Sequence, residues 1–390
     1  MQCRGNGEAG GAPEANGGSG MTSGALSSVV LRRTVELAEI PAPAGGEDAR
    51  RERVRWWWLR DGWADVRTDE AGNLWARVRP GDDPAVIVAA HLDTVFDGTV
   101  DHQVRRAGER LCGPSVGDDS VGVAALSALG TLLAEGAGTT PVWIVATVGE
   151  EGLGNLRGIT EVIGQDRVPL AAVVAIEGNY LGRIATVGVG SIRWRVTVSG
   201  PGGHAWEQAS APSAVHAAAR MVAGLAALPR RGAGTGPGRR SSVNVGVFSG
   251  GEAVNARARQ AVFLVDLRAT GAAALADLEA RARRVVRAPS ERITVGIEEL
   301  GRRPAGELGP DHPLAAAAAR ALRTAGLPAR FTAASTDANA AHAAGVPAIA
   351  IGVTTGGGEH TPDEWIDTSP LGAGLGCAAA TIAGWEGGER

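Results

Sequence analysis

Four short apolar segments of this 390-residue chain each lead to side chains that can bind a metal ion or transfer a proton. In chain order they are 85–90 followed by His91 and Asp93, 142–148 followed by Glu150 and Glu151, 171–176 followed by Glu177, and 348–351 followed, after a glycine-rich loop, by His360. A single histidine or glutamate pair after a strand is usually a solvated loop residue. Four such endings favour a shared chemical site.

A fifth cluster, Asp118 and Asp119, stands directly before a helix-like run that begins at residue 121. One aspartate could cap that helix and favour its dipole, but capping does not need two, so both interpretations stay open. Together the clusters supply two imidazoles and three carboxylates, from His91, Asp118, Glu151, Glu177 and His360. Such a set suits zinc or cobalt better than calcium, which prefers oxygen ligands alone. If one carboxylate bridges, each of two metals has three ligands and an open position, as in catalytic sites.

The elements that would position these residues follow from the hydrophobic pattern. The four segments are continuously apolar and are separated by helix-like stretches such as 121–134 and 313–325. This alternation predicts an α/β sheet buried on both faces. Ligands of such sheets bind at the carboxyl ends of the strands, which would bring the five clusters together.

The middle of the chain has a different pattern, because residues 192–198 alternate apolar and polar side chains as a half-exposed strand does. The predicted elements that follow are a helix at 213–228, a Gly/Arg-rich loop at 230–240, strands at 242–248 and 261–267, a helix at 272–287 and a strand at 292–298. This βαββαβ order is typical of a small α+β sandwich. We therefore predict a catalytic domain at 21–189 and 303–390, interrupted by an α+β domain at 190–302, with residues 1–20 as a disordered N-terminal extension.

The first of these domains should open with a largely helical region, residues 26–59, that contains three consecutive tryptophans, 56–58. Three successive helical positions cannot all face one core. We expect two of the tryptophans to pack inward and one to cover a neighbouring surface.

Composition excludes several classes of function. The net charge is −4, so neither nucleic acid nor an anionic membrane is an expected partner. All 38 basic residues are arginines, which excludes lysine Schiff bases and phosphate-loop lysines. The three cysteines lack CxxC spacing, and the first 20 residues have no apolar signal region. A cytoplasmic protein is expected. No Gly-x-Ser-x-Gly elbow follows a predicted strand, which disfavours a serine hydrolase.

The clusters resemble the motifs of the co-catalytic zinc metallopeptidases, the family of peptidase T, glutamate carboxypeptidase, succinyl-diaminopimelate desuccinylase and aminoacylase. The resemblance covers about residues 25–385, and the motifs that carry it are His91-Leu92-Asp93, Gly117-Asp118-Asp119, Gly149-Glu150-Glu151-Gly152, Glu177-Gly178, Gly203-His204 and Gly358-Glu359-His360-Thr361. The resemblance implies a mixed-sheet catalytic domain interrupted by an α+β lid domain, two Zn²⁺ per chain with Co²⁺ or Mn²⁺ as possible substitutes, and a possible homodimer formed through the lid.

The resemblance also implies a role for each residue. His91 and Glu177 would hold one zinc, Glu151 and His360 the other, Asp118 would bridge them, Glu150 would be the general base, and the Asp93 carboxylate would fix the imidazole of His91. Adjacent strand residues project oppositely, which favours separate roles for the two glutamates. Thr361 and Glu364 match a capping box, so we expect a helix start that pins His360.

Further residues would bind the substrate. The resemblance assigns His204 to the developing oxyanion, and Asn255 and Arg268 to a substrate carboxylate. Backbone amides of Gly357 and Gly358 could approach the same anion. A structural ion pair is the alternative for Arg268.

The predicted reaction is hydrolysis of an amide in a small peptide or N-acyl amino acid with a free carboxylate, by a di- or tripeptidase-like exopeptidase. The cues for substrate conflict. Glu177 resembles the carboxypeptidase and acylase branches, whereas residues 335–339 and the glycines at 356–358 resemble the tripeptidases. An N-acyl-amino-acid deacylase or carboxypeptidase therefore stays an alternative. A non-enzymatic binding member is disfavoured because the five ligand positions and the base position are all intact.

Overall fold

The computed structural model describes residues 23–136, 138–165, 168–228 and 240–386. The predicted extension at 1–20 and nearly all of the predicted loop at 230–240 lie outside these residues. The chain forms two compact units. The first takes in the described residues up to Thr186, then Leu308–Thr332 and the chain from Thr336 onward, and the second takes in Val187–Glu307 and Ala333–Ser335.

The strands of both units are, in chain order, β1 (Ala64–Thr68), β2 (Leu74–Arg79), β3 (Ala85–His91), β4 (Arg105–Ala107), β5 (Arg110–Cys112), β6 (Val142–Thr147), β7 (Leu170–Ile176), β8 (Arg183–Gly188), β9 (Gly190–Ser199), β10 (Ser241–Gly250), β11 (Gln260–Ala269), β12 (Thr294–Arg303), β13 (Gly306–Glu307), β14 (Arg330–Ala334), β15 (Ala348–Ile351), β16 (Gly356–Gly357) and β17 (Trp365–Asp367). The helices are α1 (Ser23–Ala38), α2 (Asp48–Arg60), α3 (Val121–Glu135), α4 (Arg157–Gly164), α5 (Ala214–Ala226), α6 (Ala272–Val285), α7 (Pro313–Thr324), α8 (Ala338–Ala343) and α9 (Leu371–Glu386).

The first unit contains a mixed sheet with strand order β1-β2-β6-β3-β7-β15-β8. Strands β6, β3, β7 and β15 are mutually parallel, whereas β1, β2 and β8 pair in the antiparallel sense. Every residue of β3, β6 and β15 is buried, which explains the unbroken apolar runs. The prediction of a mixed α/β sheet is confirmed, and the four parallel strands end at the same edge.

Helices cover this sheet. The predicted helical region at 26–59 forms two helices, α1 and α2, separated by a loop. Trp57 and Trp58 are buried, while Trp56 is 50% exposed beneath the guanidinium of Arg60, as the pattern of three tryptophans predicts. Among the described residues, one helical stretch, Val116–Glu135, is long and apolar enough to cross a membrane, but 83% of its most apolar 18 residues are buried in the protein. Its helix α3 packs against α1, α9 and β3.

The second unit has the predicted βαββαβ order, in the sequence β9, α5, β10, β11, α6, β12. Strands β9, β10, β11 and β12 form an antiparallel sheet with order β10-β11-β9-β12. Alternate residues of β9 are buried, and Trp194 and Phe263 join residues of both helices in one core. The α+β prediction is therefore confirmed.

Candidate metal centre

The five residues predicted to bind metal lie together in the first unit. His91 Nε2 is 3.0 Å from Asp118 Oδ1. His360 Nε2 is 3.1 Å from Asp118 Oδ2 and 3.1 Å from Glu151 Oε1. The two oxygens of Asp118 therefore face two different imidazoles.

Among the residues that the structure describes, three groups of side chains could each hold a metal ion, because their ligand atoms lie within 4.8 Å of one another. The groups are His91 with Asp118 and Glu177, Asp118 with Glu151 and His360, and His91 with Glu150 and Glu151. Asp118 is shared by the first two, as a bridging carboxylate must be. Imidazole nitrogens and carboxylate oxygens suit zinc, cobalt or manganese.

The electrostatics of the cluster favour added positive charge. Burial raises the pKa of Glu177 well above its usual value. Burial acts to lower the pKa of His91, but its hydrogen bond with Asp118 raises it well above the ordinary value. Hydrogen bonds to Asp118 and Glu151 raise the pKa of His360 to about 10. In the protein alone, protons on the imidazoles offset the buried carboxylates. Divalent cations would do the same, so this donor set fits two of them.

Asp93 connects two parts of the centre. Its fully buried carboxylate accepts the backbone N–H groups of Glu150 at 2.9 Å and of Glu151 at 2.7 Å. Its main-chain carbonyl lies 2.9 Å from Nδ1 of His91, whereas its carboxylate oxygen is 3.8 Å away from that nitrogen. Asp93 thus orients His91 through its carbonyl rather than its carboxylate, with Nε2 left facing Asp118.

The prediction that Glu150 and Glu151 project oppositely as strand neighbours is wrong. Strand β6 ends at Thr147, so both glutamates lie in the following loop, where strand alternation does not apply. Both carboxylates reach within 4.8 Å of the His91 ligand atom. The division of roles between them therefore rests on the resemblance and stays a proposal.

The aspartate pair does not cap α3. The peptide bond between Asp118 and Asp119 is cis, and Ser120 occupies the N-cap position without a capping side-chain hydrogen bond. Asp119 is fully buried and accepts N–H groups from Gly178 at 2.9 Å and from His91 at 3.2 Å. It ties the end of β3 to the segment that carries Glu177.

The predicted helix start at Thr361 is also wrong. Residues 361–363 form a turn, closed by the bond from the Glu364 N–H to the Thr361 carbonyl, and the chain then enters β17, which pairs with β5. The Glu364 carboxylate does not cap its own segment. It accepts three N–H groups from the loop that ends at Asp118 instead.

Arg50, on α2, is a residue of this region that the sequence analysis did not identify. Its side chain is fully buried and donates to the carbonyls of Ile40 at 2.8 Å and Leu92 at 3.1 Å, and to the hydroxyl of Ser115 at 2.8 Å. Burial lowers its pKa to about 10. In an arginine-rich helix, nothing in the local sequence distinguishes this arginine from its neighbours.

The remaining predicted substrate residues lie in both units. In the second unit, His204 and Asn255 are exposed, and Arg268 pairs with Asp266 at 3.0 Å. The Nδ1 atom of His204 accepts the N–H of Trp206 at 3.3 Å, which assigns the proton of a neutral imidazole to Nε2. In the first unit, Gly357 belongs to β16 and Gly358 has a φ of 79°.

A family model described as peptidase family M20/M25/M40 matches residues 87–383 of the sequence. The search of curated proteins found no match to this sequence. Among solved structures, aminopeptidase PepT from Bacillus cereus is 18% identical with a TM-score of 0.75 over 92% of this chain and 98% of that one. A tripeptidase from Staphylococcus aureus is 19% identical with a TM-score of 0.74 over 92% and 98%. A Bacillus subtilis protein described as a dinuclear metal-binding peptidase is 16% identical with a TM-score of 0.66 over 92% and 98%.

Proposed function

The chain belongs to peptidase family M20/M25/M40, a family of metallo-hydrolases that act on C–N bonds, and we propose that it hydrolyses an amide in a small peptide or N-acyl amino acid with a free carboxylate. The observation that carries this proposal is the position of Asp118. Its two carboxylate oxygens face His91 and His360 at 3.0 and 3.1 Å, the arrangement that a carboxylate shared by two metal ions requires.

Two Zn²⁺ ions are the proposed cofactors, with Co²⁺ or Mn²⁺ as substitutes. His91 and Glu177 would hold one ion, Glu151 and His360 the other, and Asp118 both. When bound, the ions supply Lewis acidity toward the scissile carbonyl and acidify water.

The protein's own residues complete the reaction. Glu150 takes a proton from the attacking water and returns it to the leaving nitrogen. Asp93 fixes the backbone of Glu150, which limits where that carboxylate can move. His204 carries its proton on Nε2, so it can donate a hydrogen bond to the oxyanion.

The free carboxylate of the substrate is the second part of the proposal. The candidates to bind it are Arg268, Asn255 and the backbone of Gly357 and Gly358. Arg268 keeps an ion pair with Asp266, which holds its guanidinium in place but also shares its charge. A tripeptidase-like exopeptidase is supported by the fold of the similar structures, and an N-acyl-amino-acid deacylase or carboxypeptidase remains the alternative.

The test is an assay of the zinc-loaded protein against dipeptides, tripeptides, N-acyl amino acids and C-terminal glutamate conjugates, each as the free acid and as the C-terminal amide. We expect amidation to lower kcat/KM by about 30- to 150-fold, since about 2–3 kcal/mol of charge-assisted binding is removed. Arg268→Ala should lower kcat/KM for the acids and hardly change it for the amides. Equal cleavage of acid and amide would contradict carboxylate recognition.

We further propose a homodimer formed through the second unit, in a cytoplasmic protein. In the described part of the chain, β10 is an edge strand of its sheet. It exposes 51% of Val247 and 43% of Phe248, apolar surface that pairing with a second copy would cover.

A further inference from the structure

We infer that Glu364 is a positioning residue that sets the carboxylate of Asp118 between the two imidazoles, with Arg50 as a second support of the same loop at Ser115. This inference rests on the proposed function, because it assumes that Asp118 binds metal. It concerns two residues, Glu364 and Arg50, that are not themselves proposed metal ligands.

The contacts of Glu364 are concentrated on the four residues that end at Asp118. Its side chain is fully buried. One oxygen accepts the N–H groups of Gly117 and Asp118, each at 2.7 Å, and the other accepts the N–H of Ser115 at 3.1 Å. Three amides on one carboxylate fix both the position and the direction of the backbone that carries Asp118.

The loop needs such support because its conformation is unfavourable. Ser115 has φ 58° and ψ 18°, in the left-handed region, which a residue with a Cβ seldom adopts. Arg50 donates to the Ser115 hydroxyl at 2.8 Å, and Glu364 holds the Ser115 amide. The same residue is therefore held from two sides, one contact on the side chain and one on the backbone.

Gly117 shows how closely Glu364 approaches the loop. A Cβ atom at this position would lie 2.9 Å from Oε1 of Glu364 and 2.9 Å from the side-chain Nδ2 of Asn179, so an added side chain would have to displace them. Glycine at this position allows the Glu364 carboxylate to approach the loop without that displacement.

The position of Glu364 in the chain gives the contact its consequence. The turn 358–364 carries His360 at one end and Glu364 at the other, and His360 Nε2 lies 3.1 Å from Asp118. This one short segment therefore carries the proposed ligand His360 and also holds, through Glu364, the loop that carries the proposed ligand Asp118. A displacement of this segment would change both sides of the centre.

The experiment compares Co²⁺ binding to the full-length wild type, Glu364→Ala and Glu364→Gln, by calorimetric titration of the metal-free proteins and by the visible absorption of bound Co²⁺. Loss of an outer-shell partner typically weakens metal binding by about 10- to 100-fold, and we expect this for Glu364→Ala, with an altered Co²⁺ spectrum. Glutamine keeps one acceptor for Gly117 and Asp118 but turns an N–H donor toward Ser115, so Glu364→Gln should fall between the two.

Leu322→Ala is the control, since it removes a buried side chain from α7, which carries none of the clustered residues. It should lower the unfolding temperature without changing the Co²⁺ spectrum. If a folded Glu364→Ala variant had the Co²⁺ affinities and the Co²⁺ spectrum of the wild type, the inference would be overturned. It would also be overturned if Leu322→Ala, at a matched unfolding temperature, lost as much Co²⁺ affinity as Glu364→Ala. If the wild type binds two Co²⁺ but cleaves no amide, the proposed activity fails. The Co²⁺ affinities of the wild type and the Glu364 variants still decide the role of Glu364. If the wild type binds no Co²⁺, both proposals fail.

Discussion

Two adjacent glutamates of the centre share a backbone anchor. Asp93 accepts the N–H groups of both, and Glu151 lies against His360, at 3.1 Å. The contact with a second proposed ligand supports Glu151 as the metal-binding member of the pair. Glu150 is then the proposed general base.

This assignment predicts opposite effects of two matched substitutions. Glu150→Gln should leave metal content unchanged and lower kcat by about 10²–10⁴-fold, the usual contribution of a general base. Glu151→Gln should lower the occupancy of one metal, because an amide is a weaker ligand than a carboxylate. Elemental analysis and steady-state kinetics on both variants provide the check. If Glu150→Gln lost metal and Glu151→Gln did not, Glu150 would be the metal ligand and Glu151 the general base.

At the scale of elements, the start of α3 approaches the centre so closely that a side chain cannot be added. A Cβ on Gly122 would lie 2.0 Å from the Oδ1 atom of Asp119. That carboxylate holds the backbone of His91 and Gly178, so its displacement would move the segments that carry His91 and Glu177.

We therefore expect Gly122→Ala to weaken metal binding at least tenfold and to lower the unfolding temperature. Gly376→Ala, in α9, is the matched control, because a Cβ there meets nothing within 4 Å. Alanine exceeds glycine in helix propensity by up to about 1 kcal/mol, so this variant should be as stable as the wild type or more so. Metal titration and thermal unfolding distinguish the two. Intact metal binding in Gly122→Ala would show that Asp119 can move without consequence.

The edge strand β10 gives a second prediction at this scale. A lysine at Val247 places a charge on the exposed strand and should shift a dimer toward monomers in sedimentation experiments, since charged edge residues oppose strand pairing. Leu59→Lys, at a site 55% exposed on α2, is the control and should leave the oligomeric state unchanged. A wild type that is monomeric at all concentrations would contradict the proposed dimer.

For the whole molecule, the centre links stability to pH and to metal. Without metal, the pKa of His360 is about 10 against an ordinary value of 6.5. Because the folded-state pKa is raised, this group stabilises the fold fully below about pH 6.5, and the contribution is lost as the pH rises through about 10. We expect the chelated protein to lose thermal stability over this range.

Bound metal should remove that dependence, since the ion replaces the proton on the imidazole. Metal at 100 times its dissociation constant would add about 2.7 kcal/mol per site to the free energy of unfolding. Thermal unfolding from pH 6 to 10, with EDTA and with Zn²⁺, tests both statements. In the chelated protein, His360→Ala should flatten the profile, and an unchanged slope in this variant would assign the effect to other groups.

The sequence alone determined the chemistry and much of the local structure. Continuous apolar runs predicted β3, β6, β7 and β15, and period-two alternation predicted β9 in a separate α+β unit. A strand buried on both faces has apolar residues throughout, whereas a strand buried on one face has them at alternate positions. The polar residues that follow the parallel strands then had to meet at one edge of the sheet. For this reason His91, Glu151, Glu177 and His360 could be named without coordinates, and Asp118 was named from the aspartate pair that precedes α3.

Only the tertiary structure decided how the ligands are held. The Glu364 carboxylate binds the amide of Ser115, 249 residues earlier in the chain, and Arg50 reaches the Ser115 hydroxyl from a different helix. Local pattern instead assigned Glu364 to a helix cap and gave Arg50 no role. Strands β1 and β2, short and only partly buried, also escaped prediction. Hydrogen bonds between distant segments depend on the tertiary fold of the chain. The hydrophobic periodicity of one segment therefore does not predict which distant backbone amide its side chain will bind.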